Sequence, residues 1–359
     1  MKNTKLKFFL LFFVPVLLFA GSKEGRYKKI KVIHHEYALD KHQNVIINNT
    51  YGNIQILNWD KNTVDIKVRI SVDGDNEEAV SKRLNSIDVD LSENSYDIQA
   101  TTQIGSVRTS WNFFSWIFGS SDDTHFKISY EIKMPARLNL DVESTYGNLY
   151  LDKLQGELNL HLTYGKFEIG ELLHSNNNIS GSYLSKSSID FMKEGSIYCH
   201  YSKINIETAY ELNLNCNYTN IHIGQVRRLK FDNNGGNLKV EDVKEVTGSG
   251  NYQNRYFGHV NTVDFQGNYG SISIDNIMND FEKINLDCNY TNIKIINSNQ
   301  VPYRLKIRQN YGCFKPNDIE IYKEIIHNGN KIIEGFYGDK NARSIINIEE
   351  NYGCIKIYN

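Results

Sequence analysis

One short phrase recurs down this chain: a polar residue, Tyr, two small residues (the first usually Gly), and then apolar residues alternating with polar ones. It reads N-T-Y-G-N-I-Q-I at 49–56, S-T-Y-G-N-L-Y-L at 144–151, C-N-Y-T-N-I-H-I at 216–223, G-N-Y-G-S-I-S-I at 267–274 and E-N-Y-G-C-I-K-I at 350–357. The anchor tyrosines are Tyr51, Tyr146, Tyr164, Tyr183, Tyr201, Tyr218, Tyr252, Tyr269, Tyr290, Tyr311 and Tyr352. A degenerate copy, N-N-G-G-N-L-K-V, puts Gly235 in the Tyr position. From Tyr146 to Tyr311 the steps are 18, 19, 18, 17, 17, 17, 17, 21 and 21 residues. A fixed short period marks a repeat architecture, and this one is too short for helix pairs, which need more than about 30 residues. It fits one turn of a single-stranded β-solenoid (a β-helix or β-roll), with two or three short strands per turn.

The faces follow from alternation. Upstream of the anchor, apolar residues fall at six and four positions before it, as in Leu212 and Leu214 or Ile284 and Leu286. Downstream they fall three and five positions after it, as in Ile221 and Ile223 or Ile272 and Ile274. Each side has period 2, the mark of a strand with one buried face. The phase slips at the Tyr-Gly-Asn corner, where the expectation is a two-residue turn with Gly or Asn at positive φ. Arg255 falls where an inward apolar residue is expected, which reads as a local bulge, with a buried functional Arg as the alternative.

Stacked turns repeat their columns about 4.8 Å apart. The column before the anchor holds Asn217, Asn234, Asn251, Asn268, Asn289, Asn310 and Asn351. That predicts a ladder of amide-to-amide hydrogen bonds, as in cross-β packing. Cys199, Cys216 and Cys288 sit two before the anchor and read as small buried apolar residues. Cys313 and Cys354 sit two after it, 41 residues apart, around a hairpin centred on Asn328-Gly329. If that hairpin is an excursion, the two cysteines stack on neighbouring turns and form a disulfide.

Lys2, Lys5 and Lys7 precede a twelve-residue apolar run, Phe8–Phe19, and then Ala20-Gly21-Ser22. This is the pattern of an export signal peptide over 1–22, too short in its apolar part to span a bilayer. No later stretch reaches 18 apolar residues, so no transmembrane segment is expected in the mature chain. Without the leader there remain 37 basic against 42 acidic residues, a net charge of −5. That balance, with no basic stripe, argues against a nucleic-acid partner.

Tyr51 and Tyr146 are 95 positions apart, so something is inserted. Val64–Val72, Ile87–Thr101 and His125–Met134 read as strands, Asp75–Asn85 as a short helix, and Pro135 as a strand end. A stack of turns needs its open end covered, so 23–140 is read as a β-rich capping region continuous with a solenoid over 141–359, whose hairpin lies near 318–338. Within the cap, W-N-F-F-S-W-I-F-G at Trp111–Gly119 is either an exposed aromatic contact loop, with Trp111, Phe114 and Trp116 as contact residues, or a plug on the solenoid end.

No H-E-x-x-H, G-x-S-x-G, P-loop or C-x-x-C is present. The histidines and acids are scattered over different columns. The chain is therefore expected to carry no catalytic, metal or cofactor site.

The repeated T-Y-G-N-[IL]-x-[IL], the export leader and the Y-E-I-K-M-P strand at 130–135 together resemble a family of secreted bacterial β-solenoids known as candidate adhesins of unknown function, common in Bacteroidetes-type bacteria. The resemblance implies a fold and an exported location, with no activity attached. The expected function is a non-enzymatic envelope or cell-surface protein, in the periplasm or outside the cell, whose partner is an envelope protein or an extracellular glycan. Two alternatives stand beside it, a glycan-binding or glycan-active β-helix and a periplasmic scaffold. A groove lined by Tyr and acids would favour the glycan reading, and a polar surface with a sticky hairpin the first.

Overall fold

The computed structural model describes residues 25–39, 43–105 and 124–359. The leader expected at 1–22 and the aromatic segment Trp111–Gly119, with Trp111, Phe114 and Trp116, lie outside the described residues. The fold is all-β, and its strands join one 19-stranded sheet. In chain order they begin β1 (Tyr27–Ala38), β2 (Asn44–Thr50), β3 (Gly52–Asn58) and β4 (Thr63–Gly74), followed by the helix α1 (Glu77–Asn85). Then come β5 (Ile87–Glu93), β6 (Asp97–Ile104), β7 (Thr124–Met134), β8 (Leu140–Leu154), β9 (Leu158–Leu172), β10 (Asn177–Leu184) and β11 (Ser187–His200). The rest are β12 (Lys203–Ile277), β13 (Lys283–Ile296), β14 (Tyr303–Asn310), β15 (Cys313–Pro316), β16 (Glu320–His327), β17 (Asn330–Tyr337), β18 (Ile345–Asn351) and β19 (Cys354–Tyr358).

From β8 onward, chain passes pair in parallel at the repeat spacing. Leu140 pairs with Leu158, Leu158 with Asn177, Cys199 with Cys216 and Thr262 with Lys283, offsets of 18, 19, 17 and 21 residues. The inward positions fill one continuous core: Ile204, Ile206, Leu212, Leu214, Ile221 and Ile223 are all buried, and so on at each pass. Each such side chain contributes about 1.5–3 kcal/mol of burial, so the stack is held by repetition of modest contributions. Arg255 departs from the expected bulge. Its side chain stays inside, 1 % exposed, with the guanidinium 4.3 Å from the Phe265 ring centre. The aromatic face offsets part of the cost of burying the charge, and burial pushes the guanidinium down to about 10.

The first pass, β2–β3, lies beside β8, pairing Asn49 with Ser144. The inserted segment covers its other edge: β6 pairs with β2 and β7 with β3, both in parallel. β4 joins β7, and β1 joins β4, both antiparallel. The strand expected over Ile87–Thr101 is instead the hairpin β5–β6. Asn94 breaks it, because its side chain accepts from Tyr96 N and Asp97 N and so closes a turn. Helix α1 starts at Asn76, whose Oδ1 accepts from Ala79 N at 3.0 Å, with Glu77 and Glu78 in the first turn and Lys82 and Arg83 in the last.

The stacking order differs from the chain order after β13. β18 pairs with β13 on one side and with β14 on the other, so residues 345–351 lie between two passes that precede them. β19 likewise pairs with both β13 and β15. β17 then closes the outer edge of β14 in antiparallel register, and β16 forms the last strand, turning at Asn328-Gly329 with φ of 49° and 82°. Thus the hairpin extends the sheet rather than leaving it. Cys313 still faces Cys354, at a Cα–Cα distance of 4.5 Å, and the structure joins them as a disulfide. Cys199, Cys216 and Cys288 are buried free thiols, and burial pushes Cys288 up to about 12.

Candidate binding surface along the tyrosine corner

The corner is built by the tyrosines themselves. All eleven anchors lie in the left-handed region, with φ between 50° (Tyr201) and 73° (Tyr51), and Gly235 in the same column has φ of 71°. The expectation of Gly at positive φ after the anchor holds at Gly52 (151°), Gly236 (79°) and Gly270 (147°), but the position that is left-handed at every pass is the anchor itself. An L-residue there costs roughly 1–2 kcal/mol, and the gain that offsets it is lateral. The rings stack pass upon pass. Tyr146, Tyr164, Tyr183, Tyr201 and Tyr218 form one run, with centroids 4.8–5.4 Å apart and planes within 9°. Tyr252, Tyr269, Tyr290, Tyr352 and Tyr311 form a second, at 4.9–5.5 Å and within 11°. Tyr352 precedes Tyr311 because β18 is inserted. Parallel aromatic pairs at this distance contribute about 0.5–1.5 kcal/mol each.

Beside the rings runs the amide column. Asn251 Nδ2 donates to Asn234 Oδ1 at 3.0 Å, Asn268 to Asn251 at 2.8 Å, Asn289 to Asn268 at 2.7 Å and Asn351 to Asn289 at 2.6 Å. Asn310 donates in turn to Asn351. Asn217 stands apart from this chain and approaches His200, its neighbour in the column, at 3.5 Å. A second amide line flanks the other side of the rings: Asn237 donates to Asn220 at 2.9 Å, Asn254 to Asn237 at 3.4 Å and Ser271 to Asn254 at 2.8 Å. The surface is thus an exposed aromatic stripe between two rows of carboxamides.

Two further surfaces adjoin it. A shallow groove of about 780 Å³ crosses successive passes on the face ahead of the corner, lined by Tyr198, Lys230, Asp232, Asp264 and Gln266 among others. At the end of the stack β16 is exposed along its whole length and presents Ile321, Tyr322, Ile325 and Ile326 to solvent. On the face after the corner, His222 bridges Asn205 (2.7 Å) and Glu241 (3.0 Å). Lys239 also pairs with Glu241 at 2.5 Å, and this contact chiefly holds the carboxyl below its ordinary range. Tyr256 donates to Asp275 at 2.8 Å, which pushes the phenol up to about 12. Folding therefore joins acids and a histidine from different columns, as a chain of surface pairs. Among the described residues, no group of three or more His, Cys, Asp or Glu is arranged to hold a metal ion, and no helix is long and apolar enough to cross a membrane.

No family model matches this chain, and no curated protein does. Among solved structures it resembles candidate adhesion proteins. One from Parabacteroides distasonis, a candidate adhesin, is 10 % identical over 91 % of this chain and 97 % of its own, with a TM-score of 0.34. A candidate adhesin from Bacteroides fragilis is 13 % identical over 91 % and 97 %, with a TM-score of 0.25. A candidate lipid binding protein from Parabacteroides distasonis is 13 % identical over 77 % and 96 %, with a TM-score of 0.34.

Proposed function

We propose that this chain is a non-enzymatic, exported protein of the cell envelope or cell surface, coiled as a single β-solenoid, that binds a partner along its tyrosine corner. Residues 1–22 serve as the leader, 23–140 as the cap and 141–359 as the coil. The observation that carries this reading is the line of stacked tyrosines left open to solvent through most of the stack. Two aromatic runs of five stacked rings each are uncommon on a surface with no contact to make. The apolar residues on β16 supply a second adhesive element at the end of the stack.

A glycan-binding role is the second reading, favoured by the groove beside the corner, where Tyr198 lies with Asp232 and Asp264. A periplasmic scaffold is the third. Protease shaving of intact cells, with a known periplasmic protein as control, separates the third from the others. Cleavage of this chain while the control survives places it outside the cell, and equal protection of both rejects surface exposure.

A further inference from the structure

The tyrosine ladder has one missing rung. Gly235 holds the left-handed backbone of its column, with φ of 71°, but carries no ring. Tyr218 stacks on Tyr201 at 5.2 Å with planes within 3°, and Tyr252 stacks on Tyr269 at 4.9 Å with planes within 1°. Each therefore has one face covered and the other turned toward the level of Gly235. Two ladder steps of about 5 Å separate those faces along the stack, room for one ring. Exposure reports the same gap. Tyr218 and Tyr252 are 62 % and 69 % exposed, whereas Tyr201 and Tyr269, with a ring on both sides, are 54 % and 43 %. The backbone below is closed: a Cβ placed on Gly235 would lie 2.9 Å from Tyr218 Cδ1, so the Tyr218 ring roofs the glycine and the opening is lateral.

The side chains bordering the gap are amides. Asn217, Asn234 and Asn251 stand on one side, Asn220, Asn237 and Asn254 on the other. The nearest charges in sequence are Asp232 and Lys239, three and four residues from Gly235 and of opposite sign, one beyond each row of amides; Arg255, three residues from Tyr252, is buried in the core. We propose that the gap between Tyr218 and Tyr252 is a binding subsite for one neutral pyranose ring of a glycan. The C–H faces of the sugar would pack on the two free tyrosine faces, and its hydroxyls would meet the carboxamides. This rests on the reading of the corner as a binding surface and assigns it a ligand class and a position.

The test uses the mature chain and a panel of immobilised neutral oligosaccharides built from glucose, galactose, mannose and N-acetylglucosamine. Gly235→Tyr places a ring at the left-handed position of the column, where its Cβ would meet Tyr218 Cδ1 at 2.9 Å, so the Tyr218 ring must move aside to admit it. Tyr252→Ala removes one wall, and Tyr96→Ala changes an exposed tyrosine far from the ladder. The wild type should retain at least one neutral sugar. Gly235→Tyr and Tyr252→Ala should each weaken that binding roughly three- to tenfold, the effect of one stacking face, and Tyr96→Ala should leave it unchanged. Circular dichroism and a melting curve establish that each variant is folded, and Tyr252→Ala carries the test if Gly235→Tyr does not fold. The subsite is overturned if no neutral sugar is retained, if both slot variants bind as the wild type does, or if tyrosine amide, a flat aromatic probe, competes better than methyl glycosides. Equal binding by wild type and slot variants leaves the corner a binding surface and removes only the slot, and surface exposure is decided separately by the shaving experiment.

Discussion

Replacing Tyr269 by alanine and by glycine should give an order opposite to that expected in an ordinary strand. Tyr269 sits mid-ladder, 4.9 Å from Tyr252 and 5.0 Å from Tyr290, at φ of 55°. Both substitutions remove two stacking contacts of about 0.5–1.5 kcal/mol each, so Tyr269→Ala should destabilise by about 1–3 kcal/mol. Alanine keeps the left-handed penalty of roughly 1–2 kcal/mol. Glycine sheds it, at a chain-entropy cost of about 0.5–1 kcal/mol. Tyr269→Gly should therefore be more stable than Tyr269→Ala by roughly 0.5–1 kcal/mol. Urea unfolding followed by circular dichroism measures all three proteins under one condition. If glycine is the worse of the two, the corner is not left-handed at the tyrosine in solution. If alanine costs nothing, the stacked rings contribute no stability.

Three further outcomes are expected. Asn268→Ala should cost about 1–2 kcal/mol, since it leaves Asn289 without its acceptor and Asn251 without its donor; an unchanged urea midpoint would reduce the column to ordinary turn residues. Peptide mapping without reductant should recover Cys313 linked to Cys354, and free thiols at both would reject the bridge. Glu350 is buried and accepts from Thr291 N at 3.1 Å and Gly353 N at 2.6 Å, with burial the larger influence, raising its pKa. A raised folded value means its contribution is full below the ordinary carboxylate range and is lost as pH rises through the folded value. The stability of wild type relative to Glu350→Gln should thus fall as pH rises above the ordinary carboxylate range, and a flat or rising difference would contradict the assignment.

The period and the alternation of Leu, Ile and Val across the anchor were enough to locate the buried columns, because each pass places the same positions inside. The conformation of the corner was read onto the wrong residue, although the signal was available. The position after the anchor holds Leu184, Ser202, Thr219, Gln253 and Thr291 as well as glycine, so it cannot require positive φ. The one non-tyrosine in the anchor column is Gly235, which is what a left-handed position tolerates. Arg255 was read as a bulge, and its place inside was not legible because the Phe265 face that receives it comes from a later pass. The ring stacking depends on contacts between passes, and a sequence read along one pass does not contain them. The insertion of β18 was illegible for a different reason. Ile284, Leu305 and Ile346 occupy one column, so any order of these three passes satisfies the core equally well.

That interchangeability has a consequence for how the chain reaches its final state. Residues 303–316 are made before residues 345–358, so the open edge of β13 first meets β14, whose columns match it. The native order requires β14 to remain detached or to separate again, so that the later strand can enter. The Cys313–Cys354 bond does not discriminate, since the two cysteines are neighbours whether the passes stack in chain order or in the inserted order. The order of this end of the stack is therefore fixed only once residues 345–358 are made, and the contact that marks the observed order is Asn351, rather than Asn310, against Asn289.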